Sequence, residues 1–105
     1  MARGDVVIVS LPGDCGKPRR ALVVQTTGFS DHPVVTLLPI TSHLIDAPSL
    51  RIDIGPDDGL DRRSQIQVDK AYTTRRKGIG VVVGHADRTT MTAVNRALAV
   101  FLRLV

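Results

Sequence analysis

The sequence predicts a mainly β, α+β domain: a small curled sheet with one helix packed on it at the C-terminal end. Two observations carry this. Short β-branched segments between residues 5 and 84 are separated by Gly, Pro and Asp punctuation, the pattern of a small barrel or sandwich. The hydrophobic period then changes to steps of three and four in the tail, the mark of one amphipathic helix. A chain of 105 residues holds one core, so residues 1–105 are expected to form a single domain.

The first predicted strand is Asp5–Leu11, closed by Pro12-Gly13-Asp14. A second apolar run, 21–26, follows the basic segment Lys17-Pro18-Arg19-Arg20. Residues 28–33 read as a turn and 34–40 as a third strand. These early strands are almost continuously apolar, so both of their faces should be covered. Residues 50–54 alternate, and Gly55-Pro56-Asp57-Asp58-Gly59 is a strong turn signal. Ser64–Asp69 alternates again, which puts Ile66 and Val68 inward and Gln65, Gln67 and Asp69 on the opposite face. Residues 79–84 complete the β portion. Met91, Val94, Leu98, Phe101, Leu102 and Val105 form the helical stripe, a core or dimer surface, with Asp87, Thr89 or Thr90 available to cap its start.

Charge narrows the partners. Fourteen Lys and Arg against ten acids give a formal net charge of +4, with clusters at 17–20, Arg62-Arg63 and Arg75-Arg76-Lys77. Such an excess favours polyanions or acidic partners through long-range attraction. Cys15 stands alone, which excludes an internal disulfide or a thiolate zinc cluster and leaves a bystander thiol. No basic leader opens the chain and no apolar run approaches ~18 residues, so a cytoplasmic protein away from membranes is expected. Motifs for zinc proteases, serine hydrolases, phosphate-binding loops and redox pairs are absent. His32, His43 and His85 are isolated, and no metal or cofactor is expected.

What remains is a set of polar residues at strand ends, where a small β domain can hold a reacting group on a rigid frame. Arg19 opens the second strand, Thr41 and Ser42 end the third, and Asp69 and Lys70 end the fifth. The run Arg3–Leu11 (RGDVVIVSL), R-x-A-L-V-V at 19–24, P-I-T-S at 39–42, Gln67-Val68-Asp69-Lys70, the glycine-punctuated last strand and the terminal helix follow one another in a fixed order. In that order they resemble the MazF/PemK/Kid toxins, over nearly the whole chain.

The resemblance implies an SH3-like curled β-barrel of the CcdB/MazF type, working as a homodimer. It implies the toxin of a type II toxin–antitoxin system, restrained by a cognate antitoxin with an acidic disordered tail. It also implies a ribosome-independent, metal-independent endoribonuclease that cuts single-stranded RNA, mRNA above all, at short sequences. In the family the arginine matching Arg19 is catalytic and the threonine matching Thr41 holds the phosphate, while Asp69 aligns with an acid that is the base in some members. Lys17, Arg20, Ser42, Gln67 and Lys70 complete the set as candidate RNA contacts. Three positions depart from the family pattern: Gln67 replaces an arginine, Lys70 a glutamine, and Arg20 the proline after the catalytic arginine. A one-residue slip would put Arg20 in the catalytic position; matching Ala21 to the small residue after that proline favours Arg19. The loop that holds Asp14 and Lys17 is shorter than the family's and lacks its catalytic or acidic positions.

The chemistry suits these residue types. RNA carries its own nucleophile, the 2′-OH, so the protein needs only charge stabilisation, a proton acceptor and a proton donor. Two other readings stand beside this one. A CcdB-like toxin would use the same fold to poison DNA gyrase without cutting RNA, and an SH3-like module would bind without catalysis. One Tyr, two Phe and no Trp are too few for a broad base-stacking platform. If the chain pairs, a basic groove between protomers near Arg19 and Arg75 is the expected seat of both RNA and antitoxin.

Overall fold

The computed structural model of the chain describes residues 1–10 and 17–104. The expectations for Leu11, Asp14, Cys15 and Val105 lie outside the described residues. Seven strands and one helix follow in chain order: β1 (Asp5–Ser10), β2 (Pro18–Val23), β3 (Val34–Thr41), β4 (Arg51–Ile54), β5 (Ser64–Gln67), β6 (Tyr72–Arg75), β7 (Ile79–His85) and α1 (Arg88–Phe101). The strands form one antiparallel path, β4-β5-β3-β2-β1-β7, with β6 attached to β3. The sheet is curled rather than closed, since its end strands β4 and β7 do not pair with each other.

The apolar runs are covered on both faces, as their composition requires. Val6, Leu22 and Leu38 point into a core with Ile54, Leu60, Ile66, Val68 and the helix residue Val94. Their strand neighbours Val7, Val9, Ala21, Val23, Val35 and Leu37 point the other way, into a second cluster flanked by Tyr72 and Ile79. Alternation along a strand thus feeds two cores instead of one core and water. The helix starts where Asp87 accepts a hydrogen bond from the Thr90 backbone N–H at 2.7 Å. Met91, Val94, Ala97 and Leu98 seal the first core. Phe101 and Leu102, at the end of the same stripe, are about half exposed.

Three expectations need correction. The second strand runs from Pro18, not from residue 21, because Ser10 to Val6 of β1 pair with Pro18 to Leu22. Arg19 and Arg20 are therefore inside a strand. Pro18 costs no ladder bond as its first residue. The fifth strand ends at Gln67, and Val68–Lys70 form a 3₁₀ turn after Val68 N–H bonds the Leu50 carbonyl at 2.9 Å. Asp69 and Lys70 thus leave the strand, and Gln65 and Gln67 are buried rather than wet. The strand β6 has no counterpart among the predicted elements. Its four residues pair Tyr72–Arg75 with Leu37–Val34, so a stretch of weak local pattern is organised by β3.

Candidate functional site

The site follows from how β3 divides its pairing. Val23, Leu22 and Ala21 of β2 face Leu37, Leu38 and Pro39 of β3. Continuing that register would set Arg20 against Ile40 and Arg19 against Thr41. The ladder stops at Pro39, which has no N–H to give. Beyond it Ile40 and Thr41 pair with Ile66 and Gln65 of β5, while Arg20 and Arg19 stay with Ile8 and Val9 of β1. The strands part, and a cleft of about 730 Å³ opens between them.

Six of the eight residues singled out from sequence line this cleft: Arg19, Arg20, Thr41, Ser42, Gln67 and Lys70. They come from β2, the end of β3, β5 and the turn after it. Lys17 and Asp69 are not in the lining. Lys17 lies exposed just before β2. Asp69 sits in the 3₁₀ turn with its Oδ1 buried and without a hydrogen-bond partner among the described residues.

The remaining wall was not foreseen. Leu60, Asp61 and Arg62 close it from the segment before β5, and Tyr72 contributes the start of β6. Arg62 belonged to a basic cluster visible in the sequence; Tyr72 is the chain's one tyrosine, in a strand too short to predict. Among the described lining residues four cations, Arg19, Arg20, Arg62 and Lys70, surround one carboxylate, Asp61. Arg20 Nη2 donates to Asp61 Oδ2 at 3.0 Å. Thr41 Oγ1 accepts from the His43 backbone N–H at 3.1 Å, closing the turn after β3. A hydroxyl has two acceptor lone pairs and one proton, so this bond leaves Thr41 a proton to donate into the cleft. The arrangement is a preorganised cationic socket with hydroxyl and amide donors, suited to a phosphodiester and to negative charge growing on it.

The other basic cluster is partly structural. Arg76 gives its Nε to the His32 carbonyl at 2.8 Å and its Nη2 to that of Phe29 at 3.3 Å, tying the turn before β3 to the turn after β6. Among the described residues no helix is long and apolar enough to cross a membrane.

Residues 2–102 match the family model described as the PemK-like, MazF-like toxin of type II toxin–antitoxin systems. The chain belongs to this toxin family. A curated relative, the probable endoribonuclease MazF of Mycolicibacterium smegmatis, is 39% identical, with 97% of this chain and 96% of that protein covered. Solved structures of toxins of this family share the fold. An endoribonuclease in complex with its cognate antitoxin, from a mycobacterial species, superposes with a TM-score of 0.85 at 24% identity, covering 100% of this chain and 97% of that one. The toxin MazF-mt6 of Mycobacterium tuberculosis gives 0.83 at 20% identity, covering 94% and 96%. A chain of the MazE–MazF crystal structure (Form III) from Deinococcus radiodurans gives 0.84 at 18%, covering 98% and 96%. The fold of PemK/MazF-like toxins is thus present here, and the cleft between β2 and β3 gathers four cations of this chain.

Proposed function

We propose that this chain is the toxin of a type II toxin–antitoxin pair and that it cuts single-stranded RNA in the cleft between β2 and β3. The observation that carries this reading is the parting of the two strands. It brings Arg19, Arg20, Thr41, Ser42, Gln67 and Lys70, drawn from separate parts of the chain, around one cavity.

In the proposed reaction the 2′-oxygen of one nucleotide attacks its own 3′-phosphorus. The bond from phosphorus to the 5′-oxygen of the next nucleotide breaks, leaving a 2′,3′-cyclic phosphate and a 5′-hydroxyl. The 2′-OH proton passes to an acceptor and a proton is delivered to the leaving oxygen. Arg19 and Thr41 stabilise the charge on the non-bridging oxygens, because a fixed guanidinium and a hydroxyl need no reorganisation as that charge grows. Lys70, Ser42 and Gln67 hold the adjoining backbone and bases. Asp69 as proton acceptor would need a change at its turn, since its carboxylate is outside the cleft lining. The nucleophile belongs to the substrate, so cleavage is expected to proceed in chelator.

We further propose a homodimer whose protomers meet through exposed apolar surface of β7, and a cytoplasmic location beside its RNA. Val81 and Val82 on the end strand β7 are 65% and 50% exposed. A cognate antitoxin with an acidic tail suits the cationic cleft.

Incubation of the purified protein with long RNA in EDTA tests the central reading. Cleavage with cyclic phosphate ends is expected, and Arg19→Ala should slow it on the order of 10²–10³-fold. An absence of cleavage, with DNA gyrase inhibited instead, would move the chain to the CcdB-like reading.

A further inference from the structure

Asp61 is the one acid among the described residues lining the cleft, set among Arg19, Arg20, Arg62 and Lys70. Its Oδ2 takes a hydrogen bond from Arg20 Nη2 at 3.0 Å. The Nε of the same guanidinium is buried and has no hydrogen-bond partner among the described residues. On a guanidinium, Nε–H and Nη2–H point the same way and form a fork matched to two oxygens of one acid group. Asp61 therefore fills half of the fork. The other half is a buried donor left unsatisfied, which is costly.

The carboxylate is held loosely. The Asp61 side chain is 73% exposed and that of Arg20 is 35% exposed, so water and salt weaken the pair. Asp61 comes from the segment before β5 and Arg20 from β2, 41 residues apart, so a local turn does not explain the contact. A phosphodiester presents two non-bridging oxygens and can satisfy Nε and Nη2 together.

We propose that Asp61 is an internal stand-in for an RNA phosphate, holding Arg20 until a phosphodiester displaces it and closes the whole fork. This rests on the reading that the cleft binds RNA and assigns Arg20 the role of a backbone anchor beside Arg19. The displaced carboxylate makes every RNA molecule compete with the protein's own acid. Asp61 thus sets the affinity of the toxin for RNA below what its cations alone would give.

The test uses a single-stranded RNA 2′-O-methylated throughout, which cannot be cut. Asp61→Asn should tighten its binding about five- to tenfold, by removing both the competitor and its repulsion of phosphate. Asp31→Asn removes the same charge from an exposed turn outside the cleft and should change binding less than about twofold. In an Arg20→Ala background only the relief of repulsion remains, so Asp61→Asn should tighten binding clearly less than it does in the native chain. Equal effects of Asp61→Asn and Asp31→Asn in the otherwise native chain would overturn the proposal, as would weaker binding by Asp61→Asn. A second readout is independent of RNA: titration with inorganic phosphate, followed through the Arg20 ¹⁵Nε resonance. Asp61→Asn should lower the half-saturating phosphate several-fold, and an unchanged midpoint would overturn the proposal. A native chain that neither binds nor cuts RNA would instead sink the proposed function, with the phosphate titration still deciding Asp61.

Discussion

One oxygen at the cleft has two tasks. Thr41 Oγ1 closes the turn after β3 through the His43 N–H, and the residue lines the cavity with a hydroxyl proton left to donate. The tasks separate by substitution. Thr41→Val keeps the β-branched shape but removes acceptor and donor together, which should cost about 1 kcal/mol of stability for the lost hydrogen bond. Its cleavage rate should fall far more, up to the order of 10²-fold, if the proton stabilises charge in the transition state. Thr41→Ser should restore both. A Thr41→Val variant that cuts RNA at the native rate once its stability is matched would reduce Thr41 to a turn residue. A second residue-scale expectation concerns acid. Burial acts to raise the Asp5 carboxyl, but the Ala2 N–H, the His85 hydrogen bond at 2.8 Å and the nearby positive charges outweigh it and hold the group below its ordinary 3.8. A carboxyl depressed in the folded state adds stability that is present above its unfolded value and lost as pH falls through the folded one. Asp5→Asn should therefore destabilise the protein at pH 6–7 and progressively less below about pH 4. Denaturant midpoints across that range check it; a penalty constant with pH would assign the loss to packing.

At the scale of elements, the cleft wall depends on two glycines in contact. Gly59 ends the turn at Pro56–Asp58 with φ of +96°, and a Cβ there would run into the Val83 carbonyl. A Cβ at Gly84 of β7 would fall on the carbonyl of Asp58. This close approach of the turn to β7 sets where Leu60, Asp61 and Arg62 begin. Gly84→Ala should cost at least about 2–3 kcal/mol and lower the melting temperature by about 10 °C or more. Gly55→Ala, at the other end of the same turn, meets nothing within 4 Å and should be nearly neutral by thermal melting. The turn itself was readable, because Gly-Pro-Asp-Asp-Gly carries its own chemistry. So were β1, β3, β4, β7 and the helix, whose patterns are local. Arg19 and Thr41 were legible as strand-end polar residues, and the family's order made them a pair. The contact of Arg20 with Asp61, the Tyr72 wall and the withdrawal of Asp69 were not. Each depends on where β3 exchanges partners, and four-residue strands leave too little periodicity to show it. The alternation through Ser64–Asp69 misled for the same reason: buried on both faces, β5 gives Gln65 an enclosed role. That amide bonds Ile45 N–H and carbonyl at 3.1 Å each and pins the loop after β3.

For the whole molecule the open question of surface is what covers its apolar ends. The path of the sheet stops at β7 with Val81 and Val82 exposed, and α1 and the segment after it leave Val100, Phe101 and Leu104 at 70%, 50% and 71% exposure. An end strand with an open outer edge and exposed apolar residues invites pairing, and natural proteins protect such edges. The cationic cleft does not need that surface for charge, because its four cations lie in one protomer. Dimerisation would instead protect the edge and place two clefts on one assembly, lengthening the basic track available to RNA. Under the homodimer reading, the native chain should sediment as a dimer at micromolar concentration. Val82→Asp together with Phe101→Asp should raise the dimer dissociation constant about a hundredfold, roughly 2.7 kcal/mol. Far-ultraviolet circular dichroism should stay native, because neither side chain is part of the two buried clusters. RNA cleavage per cleft should fall as the dimer dissociates and recover at high protein concentration. A native chain that is monomeric at those concentrations and fully active would leave the exposed edge without a partner of its own kind.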